Sequence, residues 1–113
     1  MNSVTDATKE TFEGLVSSGL VLVDLWAQSC RPCVALTPRV AEIAAERPEL
    51  EVVKLDAAKA RRLCMAYQVR GLPTFLLFRD GQEVARLTDT SLTPAGLDKW
   101  LAEQLDNGHG EED

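Results

Sequence analysis

Apolar positions fall along the chain in two kinds of run. Residues 20–27 (LVLVDLWA) are almost continuously apolar with Asp24 as the one charge, the pattern of a strand covered on both faces of a sheet. Residues 50–55 (LEVVKL), 74–79 (TFLLFR) and 82–88 (QEVARLT) predict three further strands. Elsewhere the spacing is helical. Phe12, Leu15 and Val16 share a face within 8–18, and Leu36, Val40, Ile43 and Ala44 share one within 34–46. A third helical stretch covers 57–67. A fourth helix starts at Thr93-Pro94, an N-cap followed by a first-turn proline, and sets Leu97, Leu101 and Leu105 four residues apart beside Trp100.

The order of these elements limits the topology. A helix between strands 20–27 and 50–55 makes them a parallel βαβ pair, whereas Asp80-Gly81 between the last two strands is a two-residue hairpin turn and makes them antiparallel. Pro38 lies inside the second helix and should kink it, and Gly71-Leu72-Pro73 breaks the chain before the third strand. The expectation is one α/β domain over residues 1–106, with a mixed central sheet of four to five strands flanked by about four helices. Residues 107–113 (NGHGEED) contain no apolar side chain and are expected to form a disordered acidic tail, with no role for His109.

Composition narrows the function. Apolar residues make up 45% and charged residues 27%, the balance of a folded globular chain, and 113 residues provide one core. A net charge of −6, with no basic cluster longer than Arg61-Arg62, argues against nucleic acid as a partner. The longest apolar run is too short to span a bilayer, and the first residues carry no basic and apolar signal pattern, so a cytoplasmic monomer without a membrane partner is expected. Three cysteines in a reducing compartment do not make a disulfide scaffold, and a close pair there points to redox or metal chemistry.

That pair lies in Trp26-Ala27-Gln28-Ser29-Cys30-Arg31-Pro32-Cys33, directly after the apolar strand. Cysteines at i and i+3 share one face of a helical turn within reach of a disulfide, and a helix starting near Cys30 directs its free N–H groups at that sulfur. Pro32 suits the first turn because the N–H it lacks has no partner there. The order strand, C-x-x-C, helix makes Cys30 a nucleophile with a lowered pKa and Cys33 the resolving thiol. A zinc site is the competing use of the pair, but only Cys64 and His109 remain as soft ligands, each isolated. Two simple core cysteines fit less well with the polar Gln28, Ser29 and Arg31 around them.

WAQSCRPC, Pro38, the strand bearing Lys54, the segment Arg70-Gly71-Leu72-Pro73-Thr74 and the Asp80-Gly81 hairpin together resemble thioredoxin over roughly residues 8 to 105. The resemblance implies a thioredoxin-like fold and a catalytic group of Cys30, Cys33, Asp24 and Lys54. Asp24 falls at the family's buried acid that helps deprotonate the resolving cysteine; a carboxyl in an apolar strand has a raised pKa suited to that transfer. Lys54 matches a lysine near it, whose charge opposes the shift. Trp26, Ser29, Arg31 and Pro32 form the active-site loop. Leu72, Pro73, Thr74 and Thr90 fall on the substrate-binding surface, with Pro73 at the family's cis-proline and Leu72 offering backbone to an extended substrate. Without the resemblance, Pro73 reads as a turn proline, Trp26 as a core residue at a strand end and Asp24 as a structural carboxylate.

Four positions depart from the family. Ser29 stands where Trp is usual, Arg31 where Gly is usual, Val34 where Lys is common, and Thr90 where a Gly admits the substrate. Arg31 places a fixed positive charge beside Cys30, favouring the thiolate and easing reduction of the disulfide. Cys64 reads as packing, and Phe75, Leu76, Leu77 and Phe78 as strand core. The functional expectation is a reductase of protein disulfides, itself reduced by a thioredoxin reductase-type electron donor, with no bound cofactor and no metal. A binding module that keeps the fold with little general reductase activity is the alternative, and a metal carrier bridging two chains a third reading.

Overall fold

The computed structural model describes residues 2–110, with side chains through Asp106. The apolar run led by Leu20 becomes the centre of a five-stranded sheet. In chain order the elements are β1 (Thr5–Ala7), α1 (Phe12–Leu15), β2 (Leu20–Trp26), α2 (Arg31–Glu46), β3 (Glu51–Asp56), a 3-10 turn (Ala57–Lys59), α3 (Arg61–Ala66), β4 (Thr74–Arg79), β5 (Gln82–Thr88) and α4 (Pro94–Gly110). The strands lie in the order β1-β3-β2-β4-β5. β3 runs parallel to both β1 and β2, and β4 antiparallel to both β2 and β5, so the sheet is mixed as its connections predict.

The alternation of strand side chains divides the core in two. Leu22, Val52, Phe75 and Leu77 meet the apolar stripe of α2, with Leu36, Val40 and Ile43, and that of α4, with Leu97, Leu101 and Leu105. On the other face Val21, Val23, Leu25, Leu55 and Phe78 pack with Phe12 and Cys64. There Phe12, Tyr67 and Phe78 form a triangle of edge-to-face rings with centroids 5.6 to 5.8 Å apart. Both faces of β2 are therefore covered, which is why its sequence shows no polar alternation.

Three expectations change. The first helix is one turn, Phe12–Leu15, rather than 8–18, because the Thr8 and Thr11 side chains cap a tight turn ahead of it and Ser17 Oγ donates to the Gly14 carbonyl behind it. The 57–67 stretch breaks at Ala60 into the 3-10 turn and α3, with Asp56 capping the turn through the Ala58 N–H at 3.0 Å. The edge strand β1 is not among the elements the apolar pattern predicts, since only Ala7 of its three residues is buried. The Asp80-Gly81 turn takes the positive φ expected of it, 50° and 88°. Of the stretch 107–113, the backbone of 107–110 continues α4, while the His109 side chain and residues 111–113 lie outside the described residues.

Candidate active site

The register of the sheet gathers the expected site at one rim. Trp26, which ends β2, pairs with Asp56 at the end of β3; Leu25 pairs with Thr74 at the start of β4; and Thr74 pairs with Thr88 at the end of β5. α2 begins at the same rim, because β2 leads into it through only Ala27–Cys30. The two cysteines, the 72–74 segment and the turn after β5 thus meet where the sheet ends.

Cys30 is the N-cap of α2, in extended conformation, and its Sγ accepts a hydrogen bond from the Cys33 N–H at 3.2 Å. Cys30 and Cys33 form a disulfide with Cα atoms 5.3 Å apart. The two residues differ in exposure: Cys30 is half-buried, whereas Cys33 is 1% exposed. The sulfur that takes the helix's otherwise unpaired N–H thus belongs to the less buried cysteine, and in the dithiol state the same N–H and helix dipole favour a thiolate there. Arg31 and Pro32 fill the first two helical positions, and Ser29 and Arg31 are exposed. Pro38 stands inside α2 without breaking it; the carbonyl one turn earlier belongs to the exposed Val34, where water can replace the lost bond.

Asp24 projects from the same face of β2 as Leu22, toward the layer that holds α2 and Cys33. It is 1% exposed, its Oδ2 has no hydrogen-bond partner among the described residues, and it lies between Lys54 on β3 and Phe75 on β4 in the sheet register. Burial pushes its carboxyl up from 3.8 to about 7, with the Lys54 charge opposing the rise. Lys54 does not form an ion pair with it. The ammonium instead sits over the Trp26 ring, 4.3 Å from its centroid, so acid, base and aromatic ring line up along adjacent strand ends.

Pro73 is buried and the Leu72–Pro73 peptide is cis, as the resemblance implies. Thr74 Oγ1 lies 2.6 Å from the Gly71 carbonyl, to which it donates, and 2.7 Å from Thr88 Oγ1. The Asp89 N–H donates to the Pro73 carbonyl, tying the segment to the turn that carries exposed Thr90. Two supports escaped the sequence. Thr88 is half of that hydroxyl pair, and Arg86 sends its guanidinium to the Tyr67 and Gln68 carbonyls, at 2.8 and 3.3 Å, where the chain turns from α3 toward Pro73. Neither position carries a local signal, because both partners are set by strand register. Cys64 is buried in the second core layer, and burial pushes its thiol up, as for a packing residue.

The family model for thioredoxin matches residues 3–103. The chain belongs to the thioredoxin family. It is 42% identical over 100 residues to the thioredoxin of Acetoanaerobium sticklandii, covering 86% of this chain and 95% of that one. The Mycobacterium bovis thioredoxin is 45% identical over 85 residues, covering 74% and 72%. Among solved structures, the fold matches a chain of the crystal structure of a ferredoxin:thioredoxin reductase and thioredoxin f2 complex with a TM-score of 0.81 at 24% identity, covering 90% and 94%. It also matches mitochondrial thioredoxin 3 of Saccharomyces cerevisiae in its oxidized form, at 0.78 and 24%, covering 88% and 94%. With its Cys30–Cys33 pair, this thioredoxin-family chain is a thiol–disulfide oxidoreductase that reduces protein disulfides.

Proposed function

We propose that Cys30 attacks and Cys33 resolves, and the observation that carries this assignment is their unequal access around one helix N-terminus. The Cys30 thiolate attacks one sulfur of a substrate disulfide, forming a Cys30–substrate mixed disulfide and expelling the other substrate sulfur, which takes up a proton. Cys33, deprotonated by Asp24, then attacks the Cys30 sulfur. The Cys30–Cys33 disulfide forms and the second substrate sulfur leaves as a thiol, so two electrons pass to the substrate. Half-ionised near neutrality, Asp24 can take the proton and release it, and Lys54 keeps its pKa from rising further.

Leu72 pairs by its backbone with an extended substrate segment beside cis-Pro73. Thr74 fixes that segment through Gly71 and Thr88, and Thr90 borders the docking surface with Trp26, Ser29, Arg31 and Pro32. The oxidised pair is returned to the dithiol by a thioredoxin reductase-type donor, a reading supported by the likeness to a thioredoxin solved in complex with its reductase. We place the reaction in the cytoplasm, consistent with bacterial thioredoxin relatives and with no described helix long and apolar enough to cross a membrane. The test is insulin reduction with dithiothreitol. Cys30→Ser should fall to the uncatalysed rate, and Cys33→Ser should accumulate a mixed disulfide with insulin, visible by mass spectrometry. Undiminished turnover by Cys30→Ser sinks the assignment.

A further inference from the structure

One surface carries a charge opposite to that of the molecule as a whole. The 3-10 turn and the first residues of α3 present Lys59, Arg61 and Arg62, and the loop after β1 brings Lys9 against them. The four line an open cleft of about 320 Å³ that has no carboxylate in its walls. All four are exposed, and among the described residues none is engaged in an ion pair. The chain has 12 Lys and Arg against 18 Asp and Glu, so four of its few cations collect in one place on a protein that otherwise repels anions.

Lys59 connects this cleft to the chemistry. It also borders a hollow lined by Trp26, Gln28 and Lys54 as well as Asp6 and Asp56, so the basic cleft lies next to the rim that carries the disulfide without extending across it. Cations held together without counterions repel one another, and an anionic chain laid across them removes that repulsion. The cleft is open rather than enclosed, which suits a segment laid over it better than a buried small ion. The adjoining hollows contain Asp6, Glu10 and Asp56, which confine the favourable region to a short stretch and oppose a long polyphosphate strand.

We infer that this cleft docks a short acidic segment of the protein whose disulfide reaches Cys30, which makes acidic-flanked disulfides the preferred substrates. The inference rests on the reductase reading above. Its effect is steering: complementary charge raises the encounter rate, and salt removes it because the screening length is only about 8 Å at physiological ionic strength.

The test uses two synthetic peptides containing the same internal disulfide, one flanked by aspartates and one by serines. At low ionic strength the aspartate peptide should show a kcat/KM roughly tenfold above that of the serine peptide, the lower end of electrostatic steering. That ratio should fall to near one in high salt, fall toward one in the Lys59→Gln/Arg61→Gln/Arg62→Gln variant, which leaves only Lys9, and drop below one in the corresponding Glu variant, whose cleft repels the aspartates. The serine peptide's kcat/KM and the Cys30/Cys33 reduction potential should stay unchanged in both variants. A ratio of one in the wild type, or a ratio that survives charge reversal, overturns the inference, as does tighter binding of a single-stranded oligonucleotide than of the aspartate peptide. The serine peptide reports on the underlying reading separately: if Cys30→Ser reduces it as fast as the wild type, the reductase assignment fails and the docking inference with it.

Discussion

Arg31 is the first helical residue of α2, exposed and adjacent in sequence to the accessible sulfur. A fixed positive charge there stabilises the Cys30 thiolate of the dithiol but does nothing for the neutral disulfide, so it raises the reduction potential. An Arg31→Gly variant should have a potential roughly 10–20 mV more negative, the equivalent of an exposed charge interaction of a few tenths of a kcal/mol up to about 1. Equilibration with glutathione or dithiothreitol buffers and thiol trapping measures it, and a variant potential at or above wild type contradicts the expectation. At this scale the sequence was most informative where a residue conflicts with its surroundings. Asp24 is a charge in an apolar run, and Cys30 and Cys33 are thiols at the mouth of a helix. Thr88 and Arg86 conflict with nothing local, and their contacts with Thr74 and with the Tyr67 and Gln68 carbonyls exist only once β4 and β5 are in register.

Elements hold the site through one another. α2, whose N-terminus carries the cysteine pair, is tied to α4 by Arg39: its Nε donates to Asp98 at 2.8 Å, while within α2 its Nη1 donates to Glu42 at 2.9 Å and Glu46 at 3.0 Å. These carboxylates hold the Arg39 guanidinium firmly protonated. The side chains are partly exposed, so Arg39→Met should cost about 1 kcal/mol, as a charge network rather than a single surface pair, and the loss should shrink as salt is added to the denaturation buffer. A loss that does not change with salt would assign Arg39's contribution to packing instead. Helix and strand content was legible wherever the apolar period ran for two turns or five residues, as in α2, α4, β2 and β4. The apolar period missed β1, three residues at a sheet edge, and overestimated the length of α1, where threonine and serine side chains compete with the helix for backbone groups.

At the scale of the whole molecule, Asp24 links stability to pH. Its folded pKa, about 7, lies above the ordinary 3.8, so the unfolded chain loses this proton first as pH rises. Relative to an uncharged residue, the protein incurs no penalty below pH 4, loses stability progressively between about 4 and 7, and reaches a plateau above that. Each tenfold change in proton affinity is worth about 1.4 kcal/mol, so a carboxyl moved from 3.8 to about 7 makes the full loss about 4 kcal/mol. Asp24→Asn should remove this slope, so that the variant gains on wild type with rising pH in urea titrations; parallel stability curves from pH 4 to 8 would show that the carboxyl ionises normally. The basic cleft is also a whole-molecule property, because Lys9 joins the Lys59-Ala60-Arg61-Arg62 stretch only through tertiary packing. The opposite rim of the sheet is built differently. There the Gly19 N–H donates to Asp80 Oδ1 at 2.8 Å and the Asp80 N–H donates back to the Gly19 carbonyl at 2.9 Å, while Leu20, Arg79, Leu105 and Asp106 border a common hollow. Because the strands run through the molecule between these rims, an electrode or sensor surface coupled through a handle near Asp106 would hold the protein with its disulfide facing the solution, an orientation in which electron exchange with captured partners can be recorded without blocking the reactive sulfur.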